Sequence, residues 1–216
     1  MRYYPLFLDI SQRRCVVIGG GKVAERKIER LLACGARVEV VGRVLTPALS
    51  ALKAEGRIVH HDSDYDRTLI RGAFFVIGAT DDGAVNGRIS EDARELGILV
   101  NIVDQSARCD FILPSLVERG ALTIAVSTGG KSPALAKKLR TELASLYGPE
   151  YATLLEIVGE LRERVIAGGR PSEENRERFE ALVTSEILDL IRAKRWSRIE
   201  AMIEERTGIE MEVKPR

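Results

Sequence analysis

The chain has 216 residues, 45% of them hydrophobic and 30% charged, and its acidic and basic residues balance to a net charge of +1. That is the composition of a folded globular protein with one sizeable core and room for a smaller unit, and it argues against a broad nucleic-acid surface. No apolar stretch approaches the ~18 residues of a membrane span, and Met1-Arg-Tyr-Tyr-Pro5 lacks the apolar core of a signal peptide, so a cytoplasmic location away from the membrane is expected.

Cys15, Cys34 and Cys109 are widely spaced and form no C-x-x-C pair, so neither a disulfide framework nor a zinc site is indicated. His60 and His61 adjoin Asp62 and Asp64. A strand end running into a polar loop explains them, and no metal site is assigned.

In chain order, Pro5, Leu6, Phe7 and Leu8 predict an extended segment lying against a sheet. Val16, Val17 and Ile18 then form a buried-strand run that feeds into Gly19, Gly20 and Gly21. Gly19, Gly21 and Ala24 fill the three small-residue positions of a G-x-G-x-x-G/A fingerprint: a tight turn, a backbone open to a pyrophosphate, and close helix packing. Apolar residues recur at helical spacing up to Cys34, Gly35 suits a helix end, and Val38 to Val41 reads as a second strand. The result is a βαβ unit of dinucleotide-binding length. The acidic residue that usually ends its second strand is missing, and Gly42-Arg43 stands there instead. An arginine can take the extra phosphate of NADP, or can be a solvated loop residue, so the pattern alone leaves NAD and NADP open.

Helical spacing over 46–55 and a short strand at Ile58-Val59 come next. The continuously apolar run 72–79 predicts a central fourth strand. It ends at Ala79, Thr80 and Asp81, which should border the cofactor because ligands sit outside the carboxyl ends of parallel strands. A fifth strand, 98–104, places Asp104 at the same edge, where it can act as a general base or cap a turn.

Past Pro114 the character changes. Leu122 to Val126 predicts a strand outside the parallel sheet, because no preceding helix is long enough for a crossover. Ser132 and Pro133 then suit the start of a helix carrying Lys137, Lys138 and Arg140. Three helical patterns follow, around Leu154–Leu161, Phe179–Ile191 and Trp196–Ile203, with Gly168-Gly-Arg-Pro171 separating the first two, Ser172 capping the second, and a mobile tail from Glu210. The expected class is α/β: a Rossmann-type parallel sheet over 1–113, a small α/β dimerisation segment over 114–147, and a helical domain over 148–216.

Five stretches together resemble the precorrin-2 dehydrogenase and sirohydrochlorin ferrochelatase family of sirohaem synthesis. They are Val17-Ile-Gly-Gly-Gly-Lys-Val-Ala-Glu-Arg-Lys27, Gly78-Ala-Thr-Asp-Asp82 followed by Asn86, Asn101-Ile-Val-Asp104, Phe111-Ile-Leu-Pro-Ser115, and Val126-Ser-Thr-Gly-Gly-Lys-Ser-Pro133. The resemblance implies NAD-dependent oxidation of precorrin-2 to sirohydrochlorin, with ferrous iron (Fe2+) as a further substrate in some members. It implies a homodimer formed through the middle strand and helix, and methylation supplied by another protein. It implies that Asp104 assists proton removal, that Gly19, Gly20, Gly21, Lys22 and Val23 hold the pyrophosphate, and that Arg43 and Val44 lie along the adenosine. Asn101, Ser127, Thr128, Gly129 and Lys131 would then border the tetrapyrrole. Two other readings fit less of the chain: a non-enzymatic NAD-sensing module, and a dehydrogenase of amino or hydroxy acids.

Overall fold

A computed structural model gives the architecture of residues 2–167, 172–183 and 186–213. It divides into two compact units, one ending at Leu113 and the other beginning at Pro114.

The first unit is built on five parallel strands, β1 (Arg14–Ile18), β2 (Arg37–Val41), β3 (Ile58–His61), β4 (Phe75–Gly78) and β5 (Leu99–Ile102). Their order is β3-β2-β1-β4-β5, so β1, which carries the glycines at its end, is the central strand; β4, expected there from its apolar run, is its neighbour. Pleating sends successive residues to opposite faces. Val17, Val38, Val40 and Ile77 pack with Ile28 and Leu31 of α1 (Lys22–Ala33) and Leu49 of α2 (Pro47–Ala54). Val16, Ile18, Val76 and Val100 pack with Ile89 and Ala93 of α3 (Gly83–Glu95) on the other. Both faces are covered, which is why the interior strands β1 and β4 read as unbroken apolar runs from Cys15 to Ile18 and from Phe75 to Gly78.

Local chemistry sets the helix ends. Thr46 accepts from the Leu49 amide at the start of α2, and Asp82 accepts from the Ala84 and Val85 amides at the start of α3. Gly35 follows α1 with φ +74°, a conformation that costs a side chain little only when there is none. The opening segment departs from expectation. Tyr4, Leu6, Phe7 and Leu8 are exposed, and burial begins only at Ile10.

The second unit starts with a strand that the sequence pattern did not reveal, β6 (Ser115–Arg119), paired antiparallel with β7 (Leu122–Val126) around Gly120. Its polar ends and single fully buried residue, Val117, leave no apolar run to detect. α4 (Pro133–Leu146) begins as expected, with Ser132 accepting from the Leu135 amide. At its other end Arg119 donates to the carbonyls of Ala144 and Tyr147, at 2.8 and 2.9 Å, satisfying acceptors that the helix leaves unpaired.

α5 (Glu150–Ala167), α6 (Ser172–Val183), α7 (Ile187–Arg192) and α8 (Trp196–Thr207) follow. Leu154, Leu161, Leu182, Ile187, Ile199 and Ile203 form their shared core. The pattern read as one helix through Ile191 is thus two, α6 and α7. Residues 168–171 and the Ser172 side chain, where a separator and a cap were expected, lie outside the described set. Far from being loose, the segment after α8 tucks Met211 and Val213 into the core, and the Val213 amide donates to Glu200 at 2.9 Å.

Candidate functional site

The carboxyl ends of β1, β2, β4 and β5 share one edge of the sheet and bring the expected cofactor residues together. The Gly19 amide donates to the Val41 carbonyl at 2.8 Å, the Ala79 amide to the Ile18 carbonyl at 2.7 Å, and the Val103 amide to the Gly78 carbonyl at 2.9 Å. These bonds extend the ladders beyond the strands and stitch the four loops to one another.

The three glycines have different tasks. Gly19 has φ +117°, and a Cβ on it would collide with the Ala79 carbonyl; one on Gly20 would collide with the Val44 carbonyl. Both are therefore required by packing within the protein. Gly21 is exposed, and a Cβ there would meet nothing within 4 Å. It caps α1 with no side-chain hydrogen bond, so the first-turn amides of Lys22 and Val23 remain for a ligand at the positive end of the helix. An open backbone approach next to free amides fits the pyrophosphate of a dinucleotide. Lys22 itself is turned onto Glu25, with Nζ 2.9 Å from Oε1. Hydrogen bonding from Thr46, then from Lys22, holds the Glu25 carboxylate below its usual range.

At the end of β2, Arg43 and Val44 are exposed as an adenosine-facing position requires. Arg43 is not a free cation: its Nε and Nη2 donate to Asp64 Oδ1 and Oδ2 at 2.8 and 2.7 Å. The two histidines are engaged as well. His60 Nε2 lies 2.7 Å from the Gly42 carbonyl and its Nδ1 3.1 Å from Lys53 Nζ, while His61 Nε2 lies 2.9 Å from Glu39 Oε2. Among the described residues no group of three His, Cys, Asp or Glu is placed to hold a metal ion.

After β4, Thr80 donates to Asn86 Oδ1 at 2.9 Å and its carbonyl accepts from Asn86 Nδ2 at 2.8 Å. Asn86 is buried, so this reciprocal pair fixes the Ala79–Asp81 turn from beneath and leaves Asp81 exposed.

Asp104 follows β5 with φ +59°, one of three non-glycine residues with positive φ among those described, and its side chain is exposed. Asp tolerates this left-handed conformation better than most residues, but the conformation persists only where the surroundings impose it. Two buried side chains do so. Asn101 Nδ2 donates to the Phe111 carbonyl at 2.9 Å, and the Cys109 sulfur lies 3.2 Å from the Ile102 amide and 3.1 Å from the Ile102 carbonyl. Burial pushes the Cys109 thiol above its ordinary value, so it serves as a neutral hydrogen-bonding group and not as a nucleophile. Asn101, expected to touch a substrate, is only 8% exposed and spends its amide inside the protein.

Lys27, on α1, is half-buried. Burial, then repulsion from Arg26 and Arg30, lowers its ammonium pKa, while the field of Asp104 acts the other way. Lys27 thus lies within electrostatic range of Asp104. Lys27 closes the first of the five stretches that carry the resemblance, whereas Cys109 carries no pattern that would mark it in the sequence, since its contacts arise only when the β5 loop is folded.

Ser127, Thr128, Gly129 and Lys131 belong to the second unit. There the Thr128 hydroxyl accepts from the Ser132 amide and donates to the Ser132 carbonyl, both at 3.1 Å, and Ser127 Oγ accepts from the Gly129 amide at 3.1 Å. Lys131 is exposed.

Comparison with known proteins identifies the first unit as NAD(P)-binding. Residues 6–115 match the NAD(P)-binding family model, and residues 119–146 match the sirohaem biosynthesis protein central family. Siroheme synthase 1 of Pectobacterium atrosepticum is 36% identical over 95% of this chain and 43% of its own length. A siroheme synthase of Methylobacillus flagellatus is 43% identical over 76% of this chain and 35% of its own. The chain therefore spans less than half of these relatives. Among solved structures, SirC, a precorrin-2 dehydrogenase, superposes with a TM-score of 0.76 at 25% identity, covering 92% of this chain and all of that one. With residues 6–115 matched, the chain belongs to the NAD(P)-binding family, and a sirohaem biosynthesis central segment follows that module directly.

Proposed function

We propose that the protein is an NAD-dependent oxidoreductase that converts precorrin-2 to sirohydrochlorin in the cytoplasm. The likeness to a precorrin-2 dehydrogenase over 92% of this chain and all of that one carries this reading. The reaction removes two hydrogens from a ring carbon framework: a hydride and a proton. NAD, when bound, supplies the hydride acceptor. Gly21 and the first-turn amides of α1 hold the pyrophosphate, and Arg43 and Val44 flank the adenosine. The Thr80–Asn86 pair holds the Ala79–Asp81 turn in place along the cofactor edge.

Asp104 takes the proton. Its exposed carboxylate stands at the end of β5, on the sheet edge that holds the glycine turn, and the loop anchored by Asn101 and Cys109 fixes its direction. Asn101 acts on substrate through this loop and not by contact. Ser127, Thr128, Gly129 and the Lys131 cation suit a substrate rich in carboxylates.

The protein also works as a homodimer in this reading. In α4, Leu135, Leu139 and Leu146 are exposed while only Ala136 is buried, and the β6–β7 ribbon leaves Leu116, Leu122 and Ile124 half-covered. The exposed leucines of α4, with Leu122 and Ile124 on one face of the ribbon and Leu116 on the other, offer apolar surface suited to a second copy.

The test is an anaerobic assay of purified protein with freshly generated precorrin-2, following nicotinamide reduction and the tetrapyrrole spectrum together. Sirohydrochlorin forming in step with NADH is expected. Nucleotide binding without oxidation of precorrin-2 would overturn the assignment. Adding ferrous iron to the same cuvette then asks whether sirohydrochlorin is also metallated.

A further inference from the structure

In dinucleotide-binding βαβ units an acidic residue at the end of the second strand accepts from the adenosine ribose hydroxyls, whereas an arginine there receives the 2′-phosphate of NADP. β2 ends at Val41 and continues with Gly42-Arg43, which by this rule suits NADP. The position is the right one: a Cβ on Gly42 would lie 3.5 Å from the Gly20 amide nitrogen, beside the glycine turn.

The neighbouring strand changes the outcome. After β3 the chain turns through Ser63, whose amide donates to the His61 carbonyl at 3.0 Å, and delivers Asp64 to Arg43. The ion pair is bidentate and takes up two parallel donors of the guanidinium fork. Asp62 adds a second negative charge within electrostatic range of Arg43. His60 fixes the strand end from which Arg43 leaves, through its 2.7 Å contact with the Gly42 carbonyl. Both members of the pair are largely exposed, so it contributes little to folding stability and remains open to a ligand.

We propose that Asp64, reaching across from the loop after β3, supplies the carboxylate that the end of β2 lacks, and that its fork with Arg43 makes this edge select NAD over NADP. The inference rests on the reading of NAD as cofactor. A ribose hydroxyl can donate to a carboxylate held in place by an arginine. A 2′-phosphate must displace that carboxylate from the guanidinium or sit against its charge, and near Asp62 as well. The specificity determinant is thus a residue of β3's loop, 21 positions after the arginine it masters.

Direct binding of NADH and NADPH to the full chain, followed by nicotinamide fluorescence at low ionic strength, tests it without any need for substrate. Four proteins are compared: wild type, Asp64→Asn, Arg43→Ala and the double variant. The wild type should bind NADH more tightly. Asp64→Asn should shift the NADPH-to-NADH affinity ratio about tenfold toward NADPH, the order expected for removing one charge near a dianion in a solvent-exposed setting, and added salt should shrink the shift. The double variant should lose the gain, because Arg43 is then no longer there to receive the phosphate. An unchanged ratio in Asp64→Asn, or a wild type with no preference, overturns the inference and leaves the dinucleotide site standing. A wild type that binds neither nucleotide overturns that reading too.

Discussion

The sulfur of Cys109 lies 3.1 Å from the carbonyl and 3.2 Å from the amide of Ile102, acting as donor to one and acceptor for the other. It closes the loop that carries Asp104 back onto the end of β5, so a buried thiol braces the loop that bears an exposed carboxylate.

Cys109→Ala leaves both Ile102 groups without this partner and opens a small void. A stability loss of about 1–3 kcal/mol is expected in urea unfolding. If the loop also positions Asp104, turnover should fall several-fold while NAD affinity holds, and Cys109→Ser should recover part of it. Unchanged turnover in the alanine variant would leave Cys109 a packing residue only.

Asp104→Asn keeps the shape and the tolerance for φ +59° but removes the base. Turnover should drop by about 10²–10⁴-fold, the usual span for loss of a positioned acid–base group, with NADH binding within about twofold of wild type. Survival of turnover would show that solvent takes the proton.

The three-glycine turn separates folding from binding. Gly19→Ala forces a side chain into a left-handed position and against the Ala79 carbonyl, and should destabilise the protein by several kcal/mol or prevent its accumulation. Gly21→Val meets no protein atom within 4 Å of its Cβ and should unfold at nearly the wild-type temperature, yet lose dinucleotide affinity by at least tenfold. Calorimetry with and without NADH distinguishes the two.

Glu39 accepts from Arg14 at 2.6 Å and lies 2.9 Å from the His61 ring. The Arg14 hydrogen bond, helped by His61 and opposed by burial, lowers its pKa from 4.5 to about 2. A carboxylate with a depressed folded value stabilises the fold fully above its unfolded pKa and loses that contribution as pH falls toward the folded one. Glu39→Gln should therefore cost about 1–3 kcal/mol at pH 7, and the gap to wild type should close between about pH 4.5 and pH 2. Urea midpoints measured across that range check the sign; a constant gap would assign the loss to packing.

The linear pattern determined the elements of the first unit. Val16 to Ile18 before three glycines, helical spacing to Cys34, and the apolar runs at 75–78 and 99–102 report buried strands and one-sided helices, because burial on both sheet faces demands exactly those periodicities. It also placed Asp104 and the Ala79–Asp81 turn at the carboxyl edge of the sheet, since strand direction alone decides which loops meet. The second unit was less legible. β6 buries only Val117 fully, and the split between α6 and α7 interrupts a spacing that continues across it.

Only the tertiary structure decided the partnerships. That Asp64 meets Arg43, that Asn101 faces inward to Phe111 and that Cys109 reaches back to Ile102 depend on the separations of loops set by neighbouring strands and on the turns between them. Periodicity records which face of an element is buried. It does not record which polar group stands opposite another across a gap of 2.7 to 3.2 Å, and the roles proposed for Asp104 and Asp64 rest on those pairings.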